Sequence, residues 1–260
     1  MWAATELWRP GSGVVAIWKQ SFFRSIYGTD RLSVAETVTR TGSPILRFYT
    51  WSEPTLSLGY FQLFSERERH PESLSCPVVR RATGGGAILH DRELTYSLSW
   101  PRRELPPGVD CKATKGSEWM YEWVHQSLID VLAELGADAQ FCKPTAGAEK
   151  SFLCFERRSG WDVGLGDVKI LGSAQRSYRG GVLQHGSLLL SASPFTPQLA
   201  GLSEQGFSLG LDPLTALWAA RIAAKADLQV EPSTLDTAQR RSWEQRVGEK
   251  YGSPKWTKKR

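Results

Sequence analysis

The chain has 260 residues, of which 41% are apolar, 11% aromatic and 23% charged, with a net charge of +5. That composition supports a packed core and excludes wholesale disorder. The excess charge gathers at Lys255, Lys258, Lys259 and Arg260. No basic stripe interleaved with aromatics accompanies it, so nucleic acid is not an expected partner, whereas a mildly positive face suits an acidic protein.

No window approaches the roughly twenty apolar residues of a membrane helix, so no membrane association is expected. The four cysteines, Cys76, Cys111, Cys142 and Cys154, match no CxxC metal or redox spacing. Met1 to Gly11 lacks a basic region followed by an apolar run. These readings predict a cytoplasmic protein with free thiols and no metal. A single domain over 1–260 is expected, with a core about 30–225 and a C-terminal helix and basic tail over 226–260.

In chain order, Val14, Val15, Ile17, Trp18, Phe22 and Ile26 fit a helical face over 13–27. Strand patterns follow at 45–51, 55–61, 77–81, 87–90 and 94–100; in the last, Leu94, Tyr96, Leu98 and Trp100 alternate with Thr95, Ser97 and Ser99. Residues 115–135 form the clearest helix. Thr114 is its candidate cap, Met120, Val124, Leu128, Val131 and Leu135 its apolar face, and Gly136 its stop. Strands return at 139–142, 161–165, 168–172 and 181–190, then helices at 213–226 and 236–251. Strands, helix, strands, helices in that order predict α+β with a largely antiparallel sheet.

Three segments place polar or reactive groups among strand-like residues. In the first, Arg80-Arg81-Ala82-Thr83-Gly84-Gly85-Gly86 ends at Ile88-Leu89-His90. The glycines either form a hairpin turn or let a ligand lie against the main chain, where their N–H groups bind oxygens. Arg81 is either surface punctuation or an anchor for a carbonyl or phosphate.

In the second, Cys154 stands among apolar neighbours, as an inert buried thiol would. Arg157 and Arg158 follow closely, however, and nearby positive charge favours a nucleophilic thiolate. In the third, Lys169 lies in a strand. It points either to water or inward, where an ammonium must be paired or hold developing negative charge in acyl transfer. His90 and His185 are structural or general-base histidines. His70 and His125 have no supporting context.

Arg80–Asp91, Glu93–Ser97, Leu46–Trp51, Pro54–Gln62 and Lys169–Gln175 with Leu183–Leu190 together resemble the signature of the biotin/lipoate protein ligase superfamily. Cys154-Phe155 ahead of the Lys169 strand is similar to the cysteine loop of its lipoate-ligase-like octanoyltransferases. The resemblance implies a catalytic domain like those of class II aminoacyl-tRNA synthetases and biotin ligases. It also implies an enzyme that moves octanoyl from octanoyl-acyl carrier protein to a lysine of a lipoyl domain, such as the glycine cleavage H protein or a dehydrogenase E2, in protein lipoylation.

On that reading Cys154 carries the acyl group as a thioester and Lys169 holds the thioester carbonyl. Arg81, Thr83, Gly84, Gly85, Gly86, His90, Gly172, Ser173, Gln175 and His185 line the substrate pocket. No cofactor is needed, and a monomer is expected. Three alternatives stay open: an ATP-dependent lipoate or octanoate ligase, an amidotransferase relaying octanoyl between lipoyl domains, and a non-catalytic module that binds acyl-proteins or lipoyl domains. Gly86 stands where such transferases often have Arg and ligases Gly. Asp162 resembles part of the ligases' Asn-Asp pair. The stretch Ala16–Ser21 lacks the Asn and Asp-Glu of the family's first helix.

Overall fold

A computed structural model describes residues 14–23 (backbone), 44–101, 105–107, 109, 117–144, 151–178, 180–232 and 237–260. The main sheet is built from β1 (Val14–Phe23), β2 (Ile45–Trp51), β6 (Glu93–Pro101), β7 (Ala139–Phe141), β8 (Val163–Leu165), β9 (Val168–Tyr178), β10 (Gly181–Leu189) and β11 (Gln229–Pro232). Their order across the sheet is β11-β1-β2-β6-β10-β9-β8-β7. β1 pairs in parallel with β11 and β2; every other pairing is antiparallel. A smaller sheet holds β3 (Thr55–Leu58) between β4 (Val78–Arg80) and β5 (Ile88–His90).

The α+β class and largely antiparallel sheet are as the sequence predicts. Residues 14–23 are a correction: they form β1, not a helix. Their apolar spacing fits a helical face, yet many are β-branched or aromatic, and strands on both sides accept their backbone groups; tertiary pairing overrides a weak periodicity. Residues 24–27 lie outside the described residues. β11 is likewise a strand where a C-terminal helix and tail were expected.

The long helix α1 (Glu118–Glu134) is where its periodicity predicts. Gly136, with φ +86°, ends it as a left-handed residue just past the last turn. Thr114, the expected cap, lies outside the described residues. α2 (Leu211–Lys225) packs beside α1 on one face of the main sheet. Trp218, fully buried, stands between Phe48 (ring centres 5.3 Å) and Tyr96 (5.0 Å), and its indole N–H donates to Val124 O at 3.2 Å. Trp100, Trp119 and Trp123 pack at the end of the same layer. This core backs β6, β9 and β10.

The C-terminal stretch continues from α3 (Thr237–Arg246) through a π turn, Val247–Tyr251, into the short α4 (Pro254–Thr257). α4 lies against β4. The Trp256 indole donates to Arg80 O at 2.9 Å, and Arg80 Nε donates to Thr257 O at 2.9 Å. Among the described residues no helix is long and apolar enough to cross a membrane.

Candidate active site

The three segments singled out in the sequence meet at one end of β9. The cysteine loop enters alongside the glycine segment: Ala87 N donates to Phe152 O (2.8 Å) and Cys154 N to Ala87 O (2.7 Å). Cys154 then opens a single 3₁₀ turn, Cys154–Glu156. It is half-buried and packs against Ile88, Phe155 and Leu189. Gly86 is required for this approach. A Cβ there would lie 2.9 Å from Phe152 O, closer than side-chain carbons come, and 3.1 Å from Cys154 N, tighter than most such contacts.

Arg81 explains how the glycine segment keeps its shape. Buried, it donates through Nη1 to Ser57 O (2.7 Å) and through Nη2 to Gly84 O (2.8 Å) and Gly86 O (2.5 Å). The carbonyls it anchors therefore include those of its own loop. Gly85 takes φ +92° inside that clamp. Thr83 Oγ1 lies 2.7 Å from His185 Nε2, tying the loop to β10.

Lys169 points inward, its side chain 3% exposed. The register of β8 against β9 slips by one residue here, Leu171 pairing with Val163 but Lys169 with Gly164. Such a bulge re-aims the side chain beside it. The lysine then crosses Gly172, where a Cβ would lie 2.9 Å from its Cε. Its Nζ lies 2.8 Å from Asp162 Oδ2, 2.9 Å from Arg157 O and 3.2 Å from Cys154 O. An ammonium has three protons, and three acceptors surround this one. Asp162 is itself fixed: Oδ2 also accepts from Ser159 N at 2.7 Å, and its carbonyl accepts from Cys142 N at 2.8 Å.

Behind this cluster runs a buried polar chain that sequence reasoning largely missed. The His125 Nδ1–H donates to Trp161 O, next to Asp162. Its Nε2 lies 2.7 Å from Ser173 Oγ, which lies 2.7 Å from Tyr96 Oη. Gln184 Nε2 donates to Tyr96 Oη, and Gln175 Nε2 to Gln184 Oε1, each at 2.7 Å. Gln175 Nε2 also donates to Ser117 O at 2.9 Å. Ser173 and Gln175 thus join this chain on the helix side of the sheet.

Burial pushes His125 down to about 4, outweighing the Trp161 carbonyl and the Asp162 charge, so its ring is neutral at ordinary pH. With Nδ1–H donating to a carbonyl, Nε2 must accept. One turn earlier on α1, Tyr121 is pushed up to about 12, first by burial and then by Asp162 and Cys154, so its phenol stays protonated beside the thiol. The legible signal was Tyr121 and His125 at i, i+4, two polar rings on one helix.

His90 belongs to a separate cluster. It stacks on Trp51 with ring centres 4.0 Å apart, and its Nδ1 lies 2.6 Å from Glu93 Oε1. Thr95 Oγ1 donates to the same oxygen and accepts from the Trp51 indole at 2.9 Å. Burial opposes the Glu93 charge, but His90, Thr95 and Ser187 offset it and leave the carboxyl below its usual range. Among the described residues, no group of three or more His, Cys, Asp or Glu could hold a metal.

The sequence pattern of the lipoyl protein ligase A/B catalytic domain matches residues 29–204. The chain belongs to that family. Among its relatives is an octanoyltransferase LipM from Kyrpidia tusciae, 41% identical over 160 residues, covering 58% of this chain and 56% of the relative. Another, from Staphylococcus aureus, is 37% identical over 156 residues, covering 56% and 54%. The chain thus spans a little over half the length of these relatives. The family's fold is shared over nearly the whole chain. A putative lipoate protein ligase from T. acidophilum, solved with bound lipoic acid, superposes with a TM-score of 0.70 at 20% identity, covering 95% of this chain and 99% of that one. A lipoate-protein ligase A bound with ATP gives the same TM-score and identity, covering 95% and 98%.

Proposed function

We propose that the chain transfers octanoyl from octanoyl-acyl carrier protein to a lysine of a lipoyl domain through a thioester on Cys154. The observation that carries this reading is the placement of Cys154: half-buried against apolar side chains, pinned to the glycine segment and bordered by the Lys169–Asp162 pair. The LipM relatives, octanoyltransferases by name, support it further.

In the first step the Cys154 thiolate attacks the carrier's thioester carbonyl. A bond to Cys154 sulfur forms, the bond to the pantetheine sulfur breaks, and that sulfur leaves with the proton Cys154 gave up. In the second, the neutral amine of the acceptor lysine attacks the acyl-enzyme. The carbon–nitrogen bond forms, Cys154 departs as thiolate, and the surplus proton on nitrogen passes to it. Splitting the transfer this way replaces one hard step by two easier ones. Thioester exchange is nearly balanced and amide formation is downhill, so no nucleotide is consumed.

Lys169 stabilises the carbonyl oxygen as charge develops there. It does so by exchanging its longest contact, to Cys154 O, for the substrate oxygen. The glycine segment serves this chemistry by letting the Cys154 turn close against Gly86, while Arg81 holds Gly84 and Gly86 and Thr83 ties the loop to His185.

Intact-mass measurement tests the proposal. With octanoyl-acyl carrier protein, the chain gains one octanoyl group, and Cys154→Ala gains none and transfers none. Full transfer by Cys154→Ala overturns the thioester route. Transfer from free octanoate that requires ATP and magnesium, equal in wild type and Cys154→Ala, selects the ligase alternative. Loading only from an octanoylated lipoyl domain selects the amidotransferase.

A further inference from the structure

The chain's 32 basic and 27 acidic residues leave +5, and residues 250–260 alone contain five basic and no acidic side chains. The remaining 249 residues are therefore balanced, and the whole net charge is concentrated in one short segment. That segment is folded onto the glycine loop. Lys259 Nζ lies 3.4 Å from the Tyr60 ring centre and 4.2 Å from that of Trp256. The Arg260 guanidinium lies 5.4 Å from the rings of both Tyr60 and Phe61, and Arg176 5.3 Å from Tyr60. Phe64 N donates to Arg260 O at 2.8 Å, which holds the segment in place.

This patch is continuous with the candidate site. Tyr60 N donates to Thr83 O at 2.8 Å, and Thr83 meets His185. A Cβ on Gly84 would sit 3.6 Å from the Phe61 ring. Gln62 Oε1 accepts from Gly59 N at 2.8 Å while its Nε2 reaches Phe152 O at 3.5 Å, two residues before Cys154. One short loop thus joins the patch to both halves of the site. At its edge Phe61 is 69% exposed, a large apolar side chain that packs edge-on against Tyr60 and lies beside the Arg260 guanidinium. An aromatic centre with a charged rim is the anatomy of a protein–protein interface.

Resting on the function proposed above, we infer that Tyr60, Phe61, Arg176, Trp256, Lys259 and Arg260 form the docking surface for the acidic acyl-carrier donor. The donor is favoured over the acceptor on charge. An acyl carrier presents an acidic face and delivers its thioester on an arm joined through an anionic phosphodiester. The acceptor presents a lysine, whose ammonium the same cations at the mouth of the site would repel. The patch also steers the donor at long range, which makes its effect salt-dependent.

Binding of octanoyl-acyl carrier protein to the full chain carrying Cys154→Ala, which cannot turn the donor over, tests the inference. Adding Lys259→Glu and Arg260→Glu weakens binding about tenfold at low salt, and raising salt narrows the gap. Arg92→Glu, just before β6 and equal in charge change to the pair Lys259→Gln and Arg260→Gln, does not. The milder pair Lys259→Gln and Arg260→Gln gives an intermediate loss. In the Cys154-intact chain, the preference for octanoyl-acyl carrier protein over octanoyl-pantetheine in loading Cys154 falls in the same proportion.

Equal binding by all variants, equal loss with Arg92→Glu, no carrier binding at all, or loss confined to the lipoyl domain each overturns the docking surface. Failure of both donors to load Cys154 instead overturns the proposed function. The two failures are therefore distinguishable.

Discussion

At the residue scale, the consequential arrangement is the enclosure of the Lys169 ammonium by Asp162, Arg157 O and Cys154 O. A buried cation so held is a clamp on the cysteine turn as well as a reserve of positive charge. Breaking a buried pair leaves an uncompensated charge and costs about 3–5 kcal/mol. Asp162→Asn should therefore lower stability on that scale in urea titrations and cut the rate of Cys154 acylation by at least about tenfold. If stability and acylation both stay at wild-type values, the clamp has no such role.

His125 yields a pH prediction. Its folded pKa, about 4, lies below the ordinary histidine value. The unfolded chain therefore takes up a proton that the native chain refuses as pH falls below about 6.5. The stability His125 contributes is complete above that value and is lost progressively toward pH 4, on the order of 3 kcal/mol. His125→Asn, whose amide N–H can still reach Trp161 O, should flatten this acid slope in melts recorded from pH 7 to 4. An unchanged slope would assign the acid sensitivity to other groups.

Among elements, the pairing of β8 with β9 and the bridge to the cysteine turn set where the groups of the candidate site lie. The bulge between β8 and β9 turns Lys169 across Gly172, and the parallel bridge of Ala87 with Leu153 brings in the cysteine turn. Gly86 is the contact point of that bridge. Gly86→Ala places a methyl against Phe152 O and Cys154 N, both backbone atoms that cannot rotate away. The turn must move, and misplacing a nucleophile by about 1 Å costs on the order of a hundredfold in rate. Octanoyl loading of the variant, followed by mass, should slow by about that factor while its far-ultraviolet dichroism stays native.

For the whole molecule, the helix layer buries one face of the main sheet and so backs the strands that carry the candidate site. Trp218 is its keystone, wedged between Phe48 and Tyr96 and bonded to Val124 O. Trp218→Ala should cost about 3–5 kcal/mol, measured by denaturant unfolding, because the core cannot collapse around so large a void. A loss under about 1 kcal/mol would mean the layers repack freely. The C-terminal segment contributes on the other side. Through Trp256, Arg80 and Thr257 it clasps the small sheet that carries the glycine loop, so the segment holding the net charge of the chain lies against that sheet.

Much of the protein was legible in local patterns. Alternation over β6, the apolar period of α1 with its glycine stop, and three glycines set among strand residues follow from side-chain geometry within a few residues. So does the suspicion that fell on Cys154 and Lys169, since an odd chemical group in an apolar run is visible without a fold. What only the tertiary structure decided is which groups meet. A helical spacing became strand β1 because β2 and β11 paired with it. His125 and Tyr121, unremarkable on their helix, came to lie against Trp161, Asp162 and Cys154. Arg81 turned inward to hold its own loop. Periodicity is a property of neighbours along the chain; burial, pairing and charge environment depend on residues tens or hundreds of positions apart, and only packing brings those together.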